Sequence, residues 1–313
     1  MSQKIVIALG GNALQSGKSE PTAEAQLEVV KQTCEYIAEI SCQGYEIGLV
    51  HGNGPQVGRI LLASEAAKDV TPAMPFDVCG AMSQGYIGYH LQQALKFALK
   101  QRGKEIPVVT VATQMVVDGE DPGFKNPTKP IGPFYSEAEA NALVEEKGYA
   151  VKEDAGRGWR RVVASPIPKE IVEIDAVRKL WDSSIVISCG GGGIPVVEKA
   201  DGSLEGVAAV IDKDFAAELL AESVGADALM ILTEVEQVAI NFNKPNQENL
   251  ANLTIEQAQK YVDEGHFAPG SMLPKVQAAM KFAAANPGKK AIITSLDKAV
   301  DALEGKTGTV ITL

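Results

Sequence analysis

The run Lys4-Ile5-Val6-Ile7-Ala8-Leu9, broken at once by Gly10-Gly11-Asn12-Ala13, decides the fold class. A short apolar run that stops at a diglycine reads as a buried strand entering a tight turn. Glycine lets a backbone approach a ligand closely with its N–H groups exposed. A strand that turns this way into a helix is a natural cradle for an anion. The pattern returns at Tyr45-Glu46-Ile47-Gly48-Leu49-Val50, which runs into His51-Gly52-Asn53-Gly54-Pro55-Gln56. Two glycine–asparagine turns, each behind a strand-like run, point to two loops that converge on one anion.

Outward from these turns, strand-like and helical patterns alternate for most of the chain. Apolar residues recur at helical intervals over 22–43, 55–68, 82–102, 213–224, 254–263 and 271–285. Strand-like runs cover 45–51, 107–112, 184–189, 228–233, 291–294 and 309–312, and the third of these enters Gly190-Gly191-Gly192-Gly193. Such alternation predicts an α/β fold, a three-layer αβα sandwich around an open, mainly parallel sheet. Residues 118–166 break the rhythm, being rich in Pro, Gly and charge. A structureless loop of that length is unusual in a compact domain, so the segment is expected to form a small protruding subdomain.

The chain has 313 residues, 45% of them hydrophobic, enough for a substantial core in one large domain or two modest ones. That content excludes a disordered chain. The formal net charge of −11 argues against nucleic acid and anionic membranes as main partners. No apolar span is long enough to cross a bilayer, and the first apolar run ends too early for a secretory leader. The four cysteines, Cys34, Cys42, Cys79 and Cys189, show no C-x-x-C or finger spacing and read as free thiols of a reducing cytosol. His51, His90 and His266 have no metal-ligand spacing. A cytoplasmic protein without a protein-held metal is therefore expected.

The chain lacks G-x-x-x-x-G-K-[ST] and G-x-S-x-G, which removes P-loop and nucleophile-elbow chemistry, and Gly190–Gly193 lacks the last glycine of G-x-G-x-x-G, which leaves a dinucleotide-binding oxidoreductase as a competing reading with little support. What remains are lysines in stiff turns. Lys129 stands in Asn126-Pro127-Thr128-Lys129-Pro130, between prolines that fix the backbone around it. Lys213 stands in Val210-Ile211-Asp212-Lys213-Asp214-Phe215, at a helix start for which Asp212 is the expected N-cap. A lysine is electrostatically misplaced in a first helical turn unless it and the helix end share an anion. Lys275 follows Pro269-Gly270-Ser271-Met272-Leu273-Pro274, again near a helix start. Three such lysines point to a common anionic ligand.

Several long strings together resemble carbamate kinase, of the amino-acid-kinase superfamily. They are Gly10-Gly11-Asn12, His51 to Gln56, Phe124 to Phe134, Glu153 to Arg160, Ile187 to Val197, Val210 to Ala216 and Gly265 to Lys275. The likeness runs in order along essentially the whole chain. It implies a cytoplasmic homodimer of the αβα sandwich, with residues 118–166 as the protruding subdomain. The carbamoyl-phosphate half would span about residues 1–205 and the nucleotide half about residues 206–313. The implied reaction is reversible phosphoryl transfer from carbamoyl phosphate to MgADP, giving ATP and carbamate, with Mg²⁺ arriving on the nucleotide; the family's usual place is in arginine metabolism.

Carried over by motif, Lys129, Lys213, Asp214 and Lys275 would be catalytic. Lys129 would reach the substrate phosphate, Lys213 and Lys275 would neutralise the transferring group, and Asp214 would orient those two lysines. Gly10, Gly11, Asn12, Gly52, Asn53 and Gly54 would contact substrate. Thr233, Glu234, Val235, Gly270 and Met272 would lie by the nucleotide with Lys213 and Lys275. In Thr233-Glu234-Val235-Glu236 the second and fourth residues depart from the glycine or aspartate that many relatives carry there. Another small-acid kinase and a non-catalytic nucleotide sensor are the competing readings.

Overall fold

Residues 5, 7 and 9 of the first strand face one helical layer and residues 6 and 8 the other, so every side chain of that stretch is buried. This is the signature of a parallel strand covered on both faces. The computed structural model describes residues 3–15, 20–153, 156 and 158–313. Asp154, Ala155 and Arg157 of the Glu153–Arg160 string lie outside the described residues.

The central sheet has eight strands. They are β1 (Lys4–Leu9), β2 (Glu46–His51), β3 (Val108–Thr110), β4 (Ile185–Ile187), β5 (Ala228–Thr233), β6 (Asn252–Thr254), β7 (Lys290–Ser295) and β8 (Thr309–Thr312). Their spatial order is β6-β8-β7-β5-β1-β2-β4-β3, and only the β7–β8 pairing is antiparallel. The expected αβα sandwich with a mainly parallel sheet is what the chain forms.

Helices α1 (Ala23–Cys42) and α3 (Phe76–Gln101) cover the face that receives Ile5, Ile7 and Leu9. Helices α4 (Lys213–Ser223) and α5 (Met272–Ala285) cover the face that receives Val6 and Ala8. Between α1 and α3 in sequence, α2 (Gly54–Ala66) follows β2 directly. The α1 start is fixed by Thr22, whose side chain accepts from the Ala25 N–H. Gly48 of β2 is obligatory for packing, because a Cβ there would stand 2.0 Å from the buried Trp181 ring.

The departure over 118–166 has its own architecture. Strands Lys129–Tyr135, Trp159–Val163 and Val151–Glu153 form a separate three-stranded antiparallel sheet. The helix Glu137–Lys147 lies among them, started by a Ser136–Glu139 capping box and stopped by Gly148 in the left-handed region. The end of α2 fastens this unit to the body. Glu65 accepts from Lys147 Nζ at 2.6 Å and from the Tyr149 hydroxyl at 2.8 Å, with Arg161 at 3.5 Å. Higher on α2, Gly58 lies so close to Gly132 that a Cβ would come within 2.9 Å of its backbone.

The turns that leave β1, β2 and β5 all emerge at the carboxyl edge of the sheet. β2 pairs on one side of β1 and β5 on the other, so the chain order reverses at β1. An open α/β sheet binds its ligands in the crevice at such a reversal.

Candidate active site

The β1 turn is a single 3-10 turn over Gly11–Ala13. The N–H groups of Ala13 and Leu14 are taken by the Gly10 and Gly11 carbonyls, and the first amides of the turn are the donors that any helix start leaves unpaired. Asn12 Nδ2 donates to the Glu234 carboxylate from the β5 turn, which links the two turns.

In the β2 turn the Gly52 backbone is already engaged. Its N–H donates to the Leu9 carbonyl at 3.1 Å and so ties the β2 turn to the β1 turn. What Gly52 offers is an open floor: a Cβ would meet the Lys213 side chain at 3.4 Å. Asn53 is buried, donates to Ser83 Oγ at 2.9 Å and packs on Gly191. Gly54 opens α2, and Asn53 at the N-cap position makes no side-chain capping bond, so the Gly54 and Gln56 N–H groups on either side of Pro55 have no side-chain cap.

His51 is no acid–base candidate. It is fully buried, its Nδ1 bonds the Gly52 carbonyl at 2.8 Å, and burial pushes its pKa down to about 4. The ring is neutral at physiological pH and is packed against Gly190, where a Cβ would lie 2.5 Å from Nε2.

The lysines meet at the start of α4. Asp212 caps this helix, accepting the Asp214 N–H at 3.0 Å. Asp214 is buried and takes an amine on each oxygen: Lys213 Nζ on Oδ1 at 2.5 Å and Lys275 Nζ on Oδ2 at 2.9 Å. Lys275 arrives from the first turn of α5, which follows the left-handed Gly270 and has no side-chain cap of its own. Lys129, from the inserted sheet, donates to Asp212 Oδ2 at 2.6 Å. Residues 129, 212, 213, 214 and 275 thus form one linked polar cluster, drawn from the inserted unit and two helices.

The electrostatics of this cluster follow from burial opposed by charge. Burial alone would raise the Asp214 carboxyl, but the two ammonium groups overcome it and hold it well below the usual carboxylate range. Burial lowers the Lys213 amine, with Lys275 adding to the effect and Asp214 opposing it. For Lys275, burial also acts downward, and the Asp214 carboxylate prevails and raises it.

A cavity of about 1080 Å³ opens beside the cluster. Gly10, Gly11 and Asn12 line it from β1, and Thr233, Glu234 and Val235 from β5. Gly270, Met272 and Lys275 line it from α5 and the turn before it. Lys129, Lys213, Asp214, Gly52, Asn53 and Gly54 stand off this lining, and Lys275 connects the two regions through Asp214. The sequence reading missed the far wall, where Asn241, Phe242 and His266 also line the cavity. It also gave Asp212 only a capping role. The Asp-Lys-Asp string itself was the available signal, since one carboxylate can cap while its neighbour pairs amines.

The family model of the amino acid kinases matches residues 3–295. A carbamate kinase of Clostridium perfringens is 58% identical over 312 residues, spanning 98% of this chain and 99% of the relative. The chain belongs to the carbamate kinase family of amino acid kinases. A second carbamate kinase, from Pyrococcus horikoshii, is 55% identical over the full length of both chains. Among solved structures, a carbamate kinase from Giardia lamblia bound to AMP-PNP superposes with a TM-score of 0.93 at 46% identity, covering 99% of this chain and 98% of that one. As a member of the carbamate kinase family the chain is a kinase, a phosphoryl-transferring enzyme, and its cluster and cavity are read in those terms.

Proposed function

We propose that this kinase transfers a phosphoryl group reversibly between carbamoyl phosphate and ADP, giving carbamate and ATP. The gathering of Lys129, Lys213 and Lys275 around two aspartates at the sheet's carboxyl edge carries the reading. Phosphoryl transfer asks a protein mainly for alignment and for positive charge on the equatorial oxygens. The acceptor is already an anion in both directions, a diphosphate oxygen or a carbamate oxygen, so no general base is required. A buried, neutral His51 fits that requirement.

In this reading the nucleotide lies in the cavity between the β1 and β5 turns, with Gly270 and Met272 beside it. Carbamoyl phosphate lies toward the β2 turn and Lys129, so about residues 1–205 chiefly serve carbamoyl phosphate and about residues 206–313 the nucleotide. Lys213 and Lys275 flank the group in transit, and Asp214 holds them charged and separated. Both Asp214 oxygens are committed to amines and leave none for a cation, and among the described residues no cluster of carboxylates, histidines or cysteines could hold one, so Mg²⁺ would arrive with the nucleotide. Its chemistry there would be to screen the charge of the diphosphate.

The family resemblance implies a homodimer, and α3 carries a surface suited to one. Val78, Met82, Tyr89 and Phe97 are exposed along one side of that helix. Sedimentation at two concentrations reads this. Among the described residues no helix is long and apolar enough to cross a membrane, in keeping with a role in the cytoplasm.

The test of function is ATP formation from ADP and carbamoyl phosphate, run beside acetyl phosphate and N-acetylglutamyl phosphate. Turnover on the carbamoyl compound alone is expected. Turnover on another acyl phosphate instead moves the chain to a different small-acid kinase, and nucleotide binding with no turnover makes it a sensor.

A further inference from the structure

Of the three amines in the cluster, Lys129 is held differently. Lys213 and Lys275 share the buried Asp214, and their side chains are 11% and 12% exposed. Lys129 is 29% exposed and is paired with Asp212, which is itself 13% exposed. The Asp212 carboxylate has two tasks on its two oxygens. Oδ1 caps α4 through the Asp214 N–H, and Oδ2 receives the Lys129 amine at 2.6 Å. No covalent or helical constraint links these partners, which lie 83 residues apart and on separate structural units.

An incoming phosphate needs the Lys129 amine, and Asp212 already holds it. Three amines and two carboxylates leave the cluster with one net positive charge. That charge attracts an anion, and Lys129 is the amine exposed enough to turn from its carboxylate to an incoming phosphate. We propose that Asp212 is a positioning residue that competes with the substrate phosphate for Lys129: it keeps this amine aimed at the cluster when the site is free and recaptures it as the anion leaves. This inference rests on the functional reading given above, and it assigns Asp212 a role in anion release that its capping bond does not require.

The cap and the competition separate cleanly by mutation. Asparagine and serine both cap helices well, and neither carries the charge that holds an ammonium. Asp212→Asn and Asp212→Ser are expected to lower the KM for carbamoyl phosphate and the dissociation constant for inorganic phosphate by about three- to tenfold. ADP affinity is expected to stay within about twofold. Lys129→Ala supplies the second arm. In the Lys129→Ala background the Asp212→Asn change is expected to have no effect on phosphate binding, because the competed group is gone.

Calorimetric titration of inorganic phosphate into the full-length protein reads this without turnover, so its outcome is separate from the identity of the reaction. A chain that binds phosphate as expected but makes no ATP would sink the functional reading and leave the role of Asp212 standing. Unchanged phosphate affinity in both Asp212 variants overturns the inference. So does a gain that persists in the Lys129→Ala background, since that would be the effect of net charge alone.

Discussion

Asp214 and Lys275 open two different helices, 61 residues apart in sequence, and their side chains meet at 2.9 Å. The other Asp214 oxygen holds Lys213. One buried carboxylate therefore sets the spacing of two amines and raises both against a burial that favours their neutral forms. Asp214→Asn is expected to lower kcat about 10²- to 10³-fold. The charge of Asp214 raises both amines, so its loss lets them deprotonate at lower pH. The alkaline fall in kcat is expected to move to lower pH in the variant. A pH–rate profile checks this, and wild-type turnover across the range would reduce Asp214 to an ordinary helix-start carboxylate.

Lys213→Ala separates stabilisation of the moving group from binding of the ground state. The Lys213 stem runs over Gly52 and its amine sits on Asp214. A preorganised donor of this kind contributes about 3–4 kcal/mol to the barrier, or about two to three decades in rate. The loss is expected in kcat, with the KM for ADP little changed. Steady-state kinetics reads it, and a raised KM with normal kcat would assign Lys213 to simple binding.

Much of this site was legible in the sequence, and the reasons are local. A strand that stops at glycine announces its turn within a few residues, so the β1 and β2 turns were placed correctly, and so were the helices that follow Asp212 and Ser271. Short strands gave no such signal. The second sheet, built from Gln114–Val117, Pro168–Ile171, Ile194–Glu198 and Leu204–Gly206, has strands of three to five residues, too few to establish a period of two. The hairpin of Val238–Ile240 with Glu248–Leu250 escaped for the same reason. Helix α3 begins at Phe76 rather than 82, because Val78, Cys79 and Gly80 are weak helix formers that tertiary packing overrides. Pairings across long separations, such as Lys129 with Asp212 or Glu65 with Tyr149, are set by packing and have no local signature.

The contact of Gly58 with Gly132 predicts how the inserted unit affects substrate binding. Gly132 lies three residues from Lys129 on the same strand and has φ +70°, which suits glycine. Gly58→Ala places a methyl group 2.9 Å from the Gly132 backbone and pushes the unit away from α2. The KM for carbamoyl phosphate is expected to rise severalfold, because Lys129 moves with the strand. ADP binding, measured by titration, is expected to be unchanged, since the cavity shares no wall with this contact. Equal losses for both substrates would mean that the inserted unit and the body move as one.

Two buried groups outside the reaction give opposite pH dependences of stability. Glu218 of α4 is fully buried and pairs with Lys281 of α5 at 2.6 Å, with Glu222 as its acidic neighbour. Burial raises it from 4.5 to about 7. Between those two values the folded chain holds a proton that the unfolded chain has released, so acidification through this window favours the fold. His51 acts the other way. It is lowered by burial from 6.5 to about 4, so between those values the unfolded chain takes up a proton and acidification disfavours the fold. Over pH 4.5 to 6.5 the two contributions oppose each other. Glu218→Gln removes the first and leaves the second. Its Tm is expected to compare best with wild type near pH 8 and to fall progressively behind as the pH drops to 5, with a slope of at most about 1.4 kcal/mol per pH unit. Thermal melts of both proteins at pH 5, 6, 7 and 8 measure the gap. A gap that stays constant with pH would show that Glu218 is ionised in the folded chain throughout, held so by Lys281.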